Sequence, residues 1–155
     1  MPPAPIPIPQ ASEWGTYMST VVVIHAPRQQ VNPFIRAGMP LNAAKAPLPR
    51  AGHFLVLHVQ IPPTMHGGKA RALTEHVKRV EPLRVLAWGA NAPRWLLGAQ
   101  HWNVLSDVEG GTRFEIVKVY GGLGARLMPV AMMAGVAEGI EAMAEEIKAR
   151  SERVR

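Results

Sequence analysis

Apolar and polar positions alternate along most of this chain with a period of two, and near its end the period lengthens to that of a helix. Thr20–Ile24 is a β-branched run, and Gly52–Ile61 places His53, Leu55, Leu57, Val59 and Ile61 on one face. Both patterns are typical of strands. The segment from Arg28 to Pro49 shows no sustained helical period and is predicted to be irregular. Turn signals containing glycine or proline separate further extended segments at 73–80, 84–88, 98–105 and 112–120. The pattern therefore predicts an antiparallel meander.

The last part of the chain predicts one long amphipathic helix. Met133, Val136, Ile140, Met143 and Ile147 recur at intervals of three and four, which places them on one face. A single helix cannot bury such a stripe alone, so it must lie across the sheet. We therefore expect an α+β fold in which a curved antiparallel sheet wraps around a long C-terminal helix and encloses an apolar cavity.

Composition indicates one globular domain with short extensions. The 155 residues are 48% hydrophobic and 18% charged, as in folded proteins. Residues 1–15 form a proline-rich arm that we expect to be flexible, since five prolines in the first nine residues prevent a helix. The domain is predicted at 16–150, and a basic tail at 151–155.

Charge and residue usage exclude several function classes. The net charge of +6 suggests nucleic acid as a partner, but the arginines are scattered, and the dense C-terminal group suits a helix end. We therefore expect no nucleic-acid partner. The absence of cysteine excludes disulfides and thiolate metal sites. We expect a soluble cytoplasmic protein, because no secretory signal is apparent and Glu138 and Glu141 interrupt the longest apolar stretch.

Several weak motifs in a fixed order resemble one family across about residues 20–150. They are Asn32–Arg36, Val80–Gly89, Gly98–His101, Gly110–Phe114, Tyr120–Leu123 and Glu141–Lys148. Together they look like the START/Bet v 1-like superfamily, and within it the SRPBCC or polyketide cyclase/dehydrase branch. This resemblance implies a helix-grip fold of six or seven strands around a deep apolar cavity. Members bind lipids, sterols, polyketides, hormones or aromatic compounds, and some cyclise or dehydrate a bound polyketide.

The chain departs from this family pattern at two places. The resemblance implies two short cap helices before the Asn32–Arg36 segment, but only Pro27–Val31 lies between that segment and the first strand. We therefore expect the cap to be shortened or absent and the cavity to be more open. Many relatives carry an acidic residue two positions before the aromatic residue of the last strand, where this chain has Lys118 before Tyr120. That difference puts any role of such a carboxylate in doubt.

Candidate catalytic residues are those that could transfer protons within the cavity. They are His101, Lys118, Tyr120, His58 and His76. His101 lies where resembling sequences often have histidine, although for each histidine a structural role in the sheet is the alternative. If Lys118 points inward with Phe114, Ile116 and Tyr120, it is a cavity cation whose lowered pKa suits acid–base chemistry. The opposite register turns that face outward, and the apolar count favours the first register only modestly.

Candidate ligand-binding residues are apolar positions on the predicted strands and helix. They are Phe54, Val56, Trp88, Trp102, Phe114, Ile116, Met133, Val136 and Ile140. We expect no metal, since histidines and carboxylates lack ligand spacing, and no other cofactor. The first hypothesis is a cofactor-independent cyclase, dehydratase or isomerase acting on a polyketide- or terpenoid-like substrate. The alternatives are a non-catalytic lipid or metabolite carrier, and a module that forms a homodimer.

Overall fold

The computed structural model of the protein describes residues 1–37, 51–52, 54–59 and 71–154, without the side chains at 33–37, 55–59 and 71–73. Within these residues, six strands and four α-helices follow a short 3₁₀ turn at Ala11–Glu13. The elements are β1 Thr16–Ile24, α1 Arg28–Ala37, β2 Phe54–Val59, β3 Arg71–Glu81, β4 Val85–Ala90, α2 Arg94–Leu97, β5 Gly98–Val108, β6 Gly111–Gly121, α3 Gly122–Arg126 and α4 Val130–Arg153.

The strands form one curved antiparallel sheet in the order β1-β6-β5-β4-β3-β2. Tight turns join β3 to β4 and β5 to β6, and α2 lies between β4 and β5, while the last strand, β6, pairs with β1. Helix α4 packs mainly against β1 and also contacts β6 and α1. The α+β helix-grip architecture expected from the sequence is confirmed.

Each face of the sheet carries its own apolar cluster. The face turned toward α4, here called the helix side, carries the larger one. It contains Ile24, Ala26, Val31, Val77, Leu86, Trp88, Leu105, Phe114, Ile116, Ile140, Ala144 and Ile147. The opposite face, here called the outer side, carries Val85, Ala87, Trp102, Val104, Val117 and Val119. Because successive side chains of a strand point to opposite faces, β6 contributes to both clusters.

The N-terminal arm lies along the outer side of the sheet. Ile6, Ile8 and Trp14 are partly buried against the outer cluster. The guanidinium of Arg94 lies 4.2 Å from the centre of the Trp14 ring and donates a hydrogen bond of 2.6 Å to the Glu13 carbonyl. The arm predicted at 1–15 therefore covers an apolar surface, and its flexibility stays a prediction.

One prediction about local structure was wrong. The segment from Arg28 to Pro49 was expected to be irregular, but its first part is helix α1, which contains the whole Asn32–Arg36 segment instead of preceding it. Pro33 lies in the sixth position, where proline normally breaks a helix. Tertiary contacts stabilise α1, because Val31 is fully buried and the Arg28 guanidinium lies 2.7 Å from the Asp107 carboxylate.

Helix α4 begins after Pro129 and extends through most of the predicted basic tail. Ser151 is buried, and the Glu152 carboxylate accepts a hydrogen bond of 2.9 Å from the backbone N–H of His25. The C-terminal end of α4 is thereby attached to the residue that follows β1. The strand predicted at 52–61 is β2, and residues 53, 60 and 61 lie outside the described residues.

Candidate functional site

Strand pairing places five residues in one row across the helix side of the sheet. Met18 of β1 pairs with Lys118 of β6, Lys118 with His101 of β5, His101 with Trp88 of β4, and Trp88 with Val77 of β3. Val77 and Trp88 belong to the helix-side cluster, and Met18 packs against it. Two polar side chains, one of them a lysine, therefore lie within an apolar row that faces α4.

The His101 ring has a fixed orientation and is uncharged. Its ring stacks on the Trp88 ring, with 4.4 Å between centroids and an interplanar angle of 8°. Nε2 lies 3.3 Å from Oδ1 of Asn103, whose Nδ2 donates to the Leu86 carbonyl at 3.4 Å. Nε2 must therefore carry the proton, which leaves Nδ1 as an acceptor. Burial, and secondly the charge of Lys118, lower the pKa of His101 to about 3 despite the Asn103 contact.

Lys118 and Tyr120 follow one another on the same face of β6. The Lys118 ammonium lies 5.8 Å from the centre of the Tyr120 ring, at the outer limit of a cation–π contact. Burial lowers the pKa of Lys118, and the Glu75 carboxylate opposes that shift. The pKa of Tyr120 is raised, first by burial and then by the charge of Glu75. Burial thus favours the uncharged form of both groups.

Glu75 is the fourth member of this cluster, and no pattern in the sequence indicated it. It lies two residues before Val77 on β3, so both side chains point to the helix side. Burial raises the pKa of the Glu75 carboxyl, while Lys118 and then Lys78 oppose the shift. We refer to Glu75, His101, Lys118 and Tyr120 as the polar cluster.

A β-bulge explains why Glu75 was missed. The register between β3 and β4 shifts between Val77 and Arg79, so Lys78 is an extra residue in β3. In a regular β3, His76 and Val80 would share one face, so an inward Val80 would place His76 inward as well. One inserted residue reverses this relation, because a single-residue shift moves every following side chain to the other face. Asn103 was also missed; a lone asparagine in an apolar strand is a weak signal.

Several predicted ligand-binding residues lie on the helix side. Trp88, Phe114 and Ile116 are buried in the helix-side cluster, which is the register that the apolar count favoured. On α4, Ile140 belongs to the same cluster and Val136 is buried. Met133 is partly buried nearer the start of α4. These residues form the apolar surroundings of the polar cluster.

The structure corrects three predicted positions, which lie on the outer side. Trp102 packs in the outer cluster, because it is the neighbour of His101 on β5 and points the opposite way. His76 precedes the inward Val77, and its ring is 5.4 Å from that of Phe54, which is 59% exposed. None of the three faces α4. Val56 and His58 pair with β3, and their side chains lie outside the described residues.

A groove of about 460 Å³ opens where β6 ends, and no member of the polar cluster lines it. Residues of the Gly121–Arg126 corner line it together with Thr16, the pairing partner of Tyr120, and Trp95. Searched over the described residues, the structure holds no group of three or more histidine, aspartate or glutamate side chains that could bind a metal ion. No helix in that part of the chain is long and apolar enough to cross a membrane.

Comparison with known proteins yields matches only at the level of structure. No family model matches the sequence, and no curated protein matches it. The solution structure of the Aha1 dimer from Colwellia psychrerythraea is similar with a TM-score of 0.65 and 13% identity, over 89% of this chain and 97% of that one. The crystal structure of Ara h 8.0201 gives 0.63 and 9%, over 88% and 97%.

A third similar structure is the Polyketide_cyc-like protein from Corynebacterium glutamicum, solved in solution. Its TM-score is 0.59 and its identity 15%, over 85% of this chain and 88% of that one. At such low identity the likeness concerns the fold, and function has to be argued from the site. The comparisons agree with the fold that the sequence motifs implied, and the chain has a helix-grip fold.

Proposed function

We propose that the protein binds a polyketide- or terpenoid-like molecule between α4 and the helix side of its sheet and catalyses its cyclisation, dehydration or isomerisation. The observation that carries the proposal is the polar cluster, four hydrogen-bonding or titratable groups beside the apolar helix-side cluster. Buried polar groups destabilise a fold unless they are paired, so their concentration at one place is typical of a functional site. The likeness to a Polyketide_cyc-like protein supports this substrate class.

Each member of the polar cluster has a separate chemical role in this proposal. Lys118 and the hydroxyl of Tyr120 donate hydrogen bonds that polarise a substrate carbonyl. Glu75 exchanges a proton with the adjacent carbon or oxygen, since a raised carboxyl pKa brings it closer to neutral pH. His101 accepts a hydrogen bond at Nδ1. The apolar wall adds to the rate by holding a flexible chain in a reactive conformation.

The test is turnover of compounds from the natural source of the protein. Purified protein is incubated with a small-molecule extract, and bound and free compounds are separated by chromatography and identified by mass. We expect a compound to disappear while an isomer or a dehydrated product accumulates. The double variant Glu75→Gln with Lys118→Met should lose this conversion, and the outer-side variant His76→Ala serves as the matched control. Full conversion by the double variant would exclude the proposed chemistry.

A carrier without catalysis is the second candidate, and the state of His101 favours it. A histidine with a pKa of about 3 stays neutral under ordinary conditions and is a weak base. Its stacking on Trp88 and its contact with Asn103 suit ligand recognition by a fixed hydrogen bond. A carrier would release its ligand chemically unchanged, and the double variant would bind it more weakly without any difference in products.

A homodimer is a third candidate, supported by the exposed apolar side chains of the edge strand β1. Tyr17, Val21 and Val23 point outward and are 37%, 44% and 43% exposed. Exposed apolar residues on an edge strand favour association. Analytical ultracentrifugation tests this candidate, and a strict monomer at high protein concentration would remove it.

A further inference from the structure

We infer that Lys118 is a nucleophile that forms a Schiff base with a ketone or aldehyde group of an apolar ligand, and that Glu75 is the acid that assists the loss of water. The inference rests on the proposed function, since it requires an apolar ligand on the helix side. Three observations support it: the position of Lys118, its lack of an ion pair among the described residues, and an acid on the same face.

The position of Lys118 is that of a reactive amine and not of a structural one. Its pairing partners are Met18 and His101, and its ammonium approaches the face of the Tyr120 ring. These neighbours provide no carboxylate. Lys148 illustrates the structural alternative, since its Nζ lies 2.9 Å from the Glu152 carboxylate. Over the part of the chain that the structure describes, no acidic side chain lies within ion-pair distance of Lys118.

The electrostatic surroundings increase the fraction of free amine. Only an unprotonated amine attacks a carbonyl carbon, and an exposed lysine is almost fully protonated at neutral pH. Burial lowers the pKa of Lys118, with Glu75 as the opposing charge. The other titratable groups on this face, His101 and Tyr120, are held in their uncharged forms. The Tyr120 hydroxyl can therefore donate a hydrogen bond to the carbonyl oxygen, and Nδ1 of His101 can accept one from the hydroxyl of the carbinolamine.

The reaction can be written with all atoms and charges balanced. Nζ of Lys118 attacks the carbonyl carbon, and the C=O π electrons move to oxygen. A proton then passes from nitrogen to that oxygen, which gives a neutral carbinolamine. The protonated carboxyl of Glu75 donates its proton to the hydroxyl, the C–O bond breaks and water leaves. The products are an iminium bound to Lys118 and the Glu75 carboxylate. Water reverses every step.

Reductive trapping with a long-chain methyl ketone tests the inference. The full-length protein is incubated at neutral pH with undecanone and cyanoborohydride, which reduces the iminium to a stable secondary amine. Digestion and mass spectrometry then locate the added mass. We expect labelling at Lys118 to exceed that at the exposed Lys78, because a lowered pKa increases the fraction of free amine at neutral pH. Lys118→Arg should abolish the label on that peptide, and Glu75→Gln should slow its appearance.

A separate binding measurement distinguishes the possible failures. Undecanol has a similar apolar chain but cannot form an imine, and its binding is followed through the fluorescence of the tryptophans. Binding of undecanol without selective labelling of Lys118 would overturn the Schiff base and leave the proposed apolar site intact. Neither binding nor labelling would overturn both proposals. Equal labelling of Lys78 and Lys118 would show an ordinary lysine and would also overturn the inference.

Discussion

The two faces of the sheet are both apolar but differ in their polar content. On the outer side, Val117 and Val119 pack with Trp102, whose Nε1 donates a hydrogen bond of 3.0 Å to the Gln100 side chain. The cluster there is closed by residues of the N-terminal arm. On the helix side, strand β6 instead places Lys118 and Tyr120 beside the apolar cluster.

This difference predicts that the outer side of the sheet serves stability and that the helix side serves the proposed function. An apolar cluster stabilises the fold when it is covered and when its polar atom, here Nε1 of Trp102, is hydrogen-bonded. A lysine on an apolar face destabilises the fold, and such groups persist where activity needs them. We therefore expect changes on the outer side to affect stability alone. Changes in the polar cluster should affect ligand chemistry while leaving stability unchanged or higher.

The largest expected effect comes from the outer cluster. Trp102→Ala should lower the free energy of unfolding by about 3–5 kcal/mol, because it leaves a large cavity between the sheet and the arm. The folded fraction should still bind undecanol like the parent protein, since Trp102 faces away from α4. Denaturant unfolding and tryptophan fluorescence measure the two quantities. Loss of undecanol binding in a folded Trp102→Ala protein would show that the two sides are not independent.

The second-largest loss of stability is expected from changes in the N-terminal arm. Replacing Ile6 and Ile8 together by serine should lower the free energy of unfolding by about 2 kcal/mol, since each side chain is partly buried and full burial contributes about 1.5–3 kcal/mol. Leu127→Ser is the matched control, because that side chain is 83% exposed. Equal stability of the two variants would mean that the arm does not protect the outer cluster in solution.

Acid should destabilise the helix side through His101. Its pKa is lowered to about 3 in the folded state and is about 6.5 when unfolded, so the unfolded chain binds the extra proton between these values. Stability is fully present above pH 6.5 and falls by about 1.4 kcal/mol per pH unit below it. Unfolding at pH 7.5 and pH 5.5 measures the slope. His101→Gln should flatten it, and an unchanged slope would exclude His101 as its source.

Local patterns predicted most of the fold because each element has its own period. The stripe on α4 and the turn signals between strands led to the observed helix and meander. Helix α1 could not be predicted this way, since the burial of Val31 and the Arg28–Asp107 ion pair come from distant parts of the chain. The sequence also could not show that the arm covers the sheet. Because the arm packs on the outer side, β6 has apolar residues on both faces, and the sequence alone could not determine which face points toward α4.

The sequence predicted part of the candidate site, and the regularity of the strand pairing explains which part. The neighbours His101 and Lys118 could be inferred because β5 and β6 form a regular hairpin. Glu75 could not, because the bulge at Lys78 reverses the faces of β3 and no residue type in that segment indicates a bulge. Where strands pair regularly, the sequence pattern predicts which side chains share a face. One inserted residue is enough to make that prediction wrong for a histidine and a glutamate.

The smallest expected effect has the opposite sign and provides the sharpest test of the comparison. Lys118→Met should raise the free energy of unfolding slightly at neutral pH, because burial penalises the charged form of the lysine in the folded state. The lowered pKa means that the unfolded chain binds the lysine proton more tightly, so the gain should shrink as pH rises toward 10.5. Lys78→Met at the exposed bulge is the control and should change stability by less than about 0.5 kcal/mol. Chemical unfolding at neutral and alkaline pH measures both variants. A loss of stability in Lys118→Met would show that the helix side holds its lysine by favourable contacts, as a structural residue is held, and the distinction between the two faces would fail.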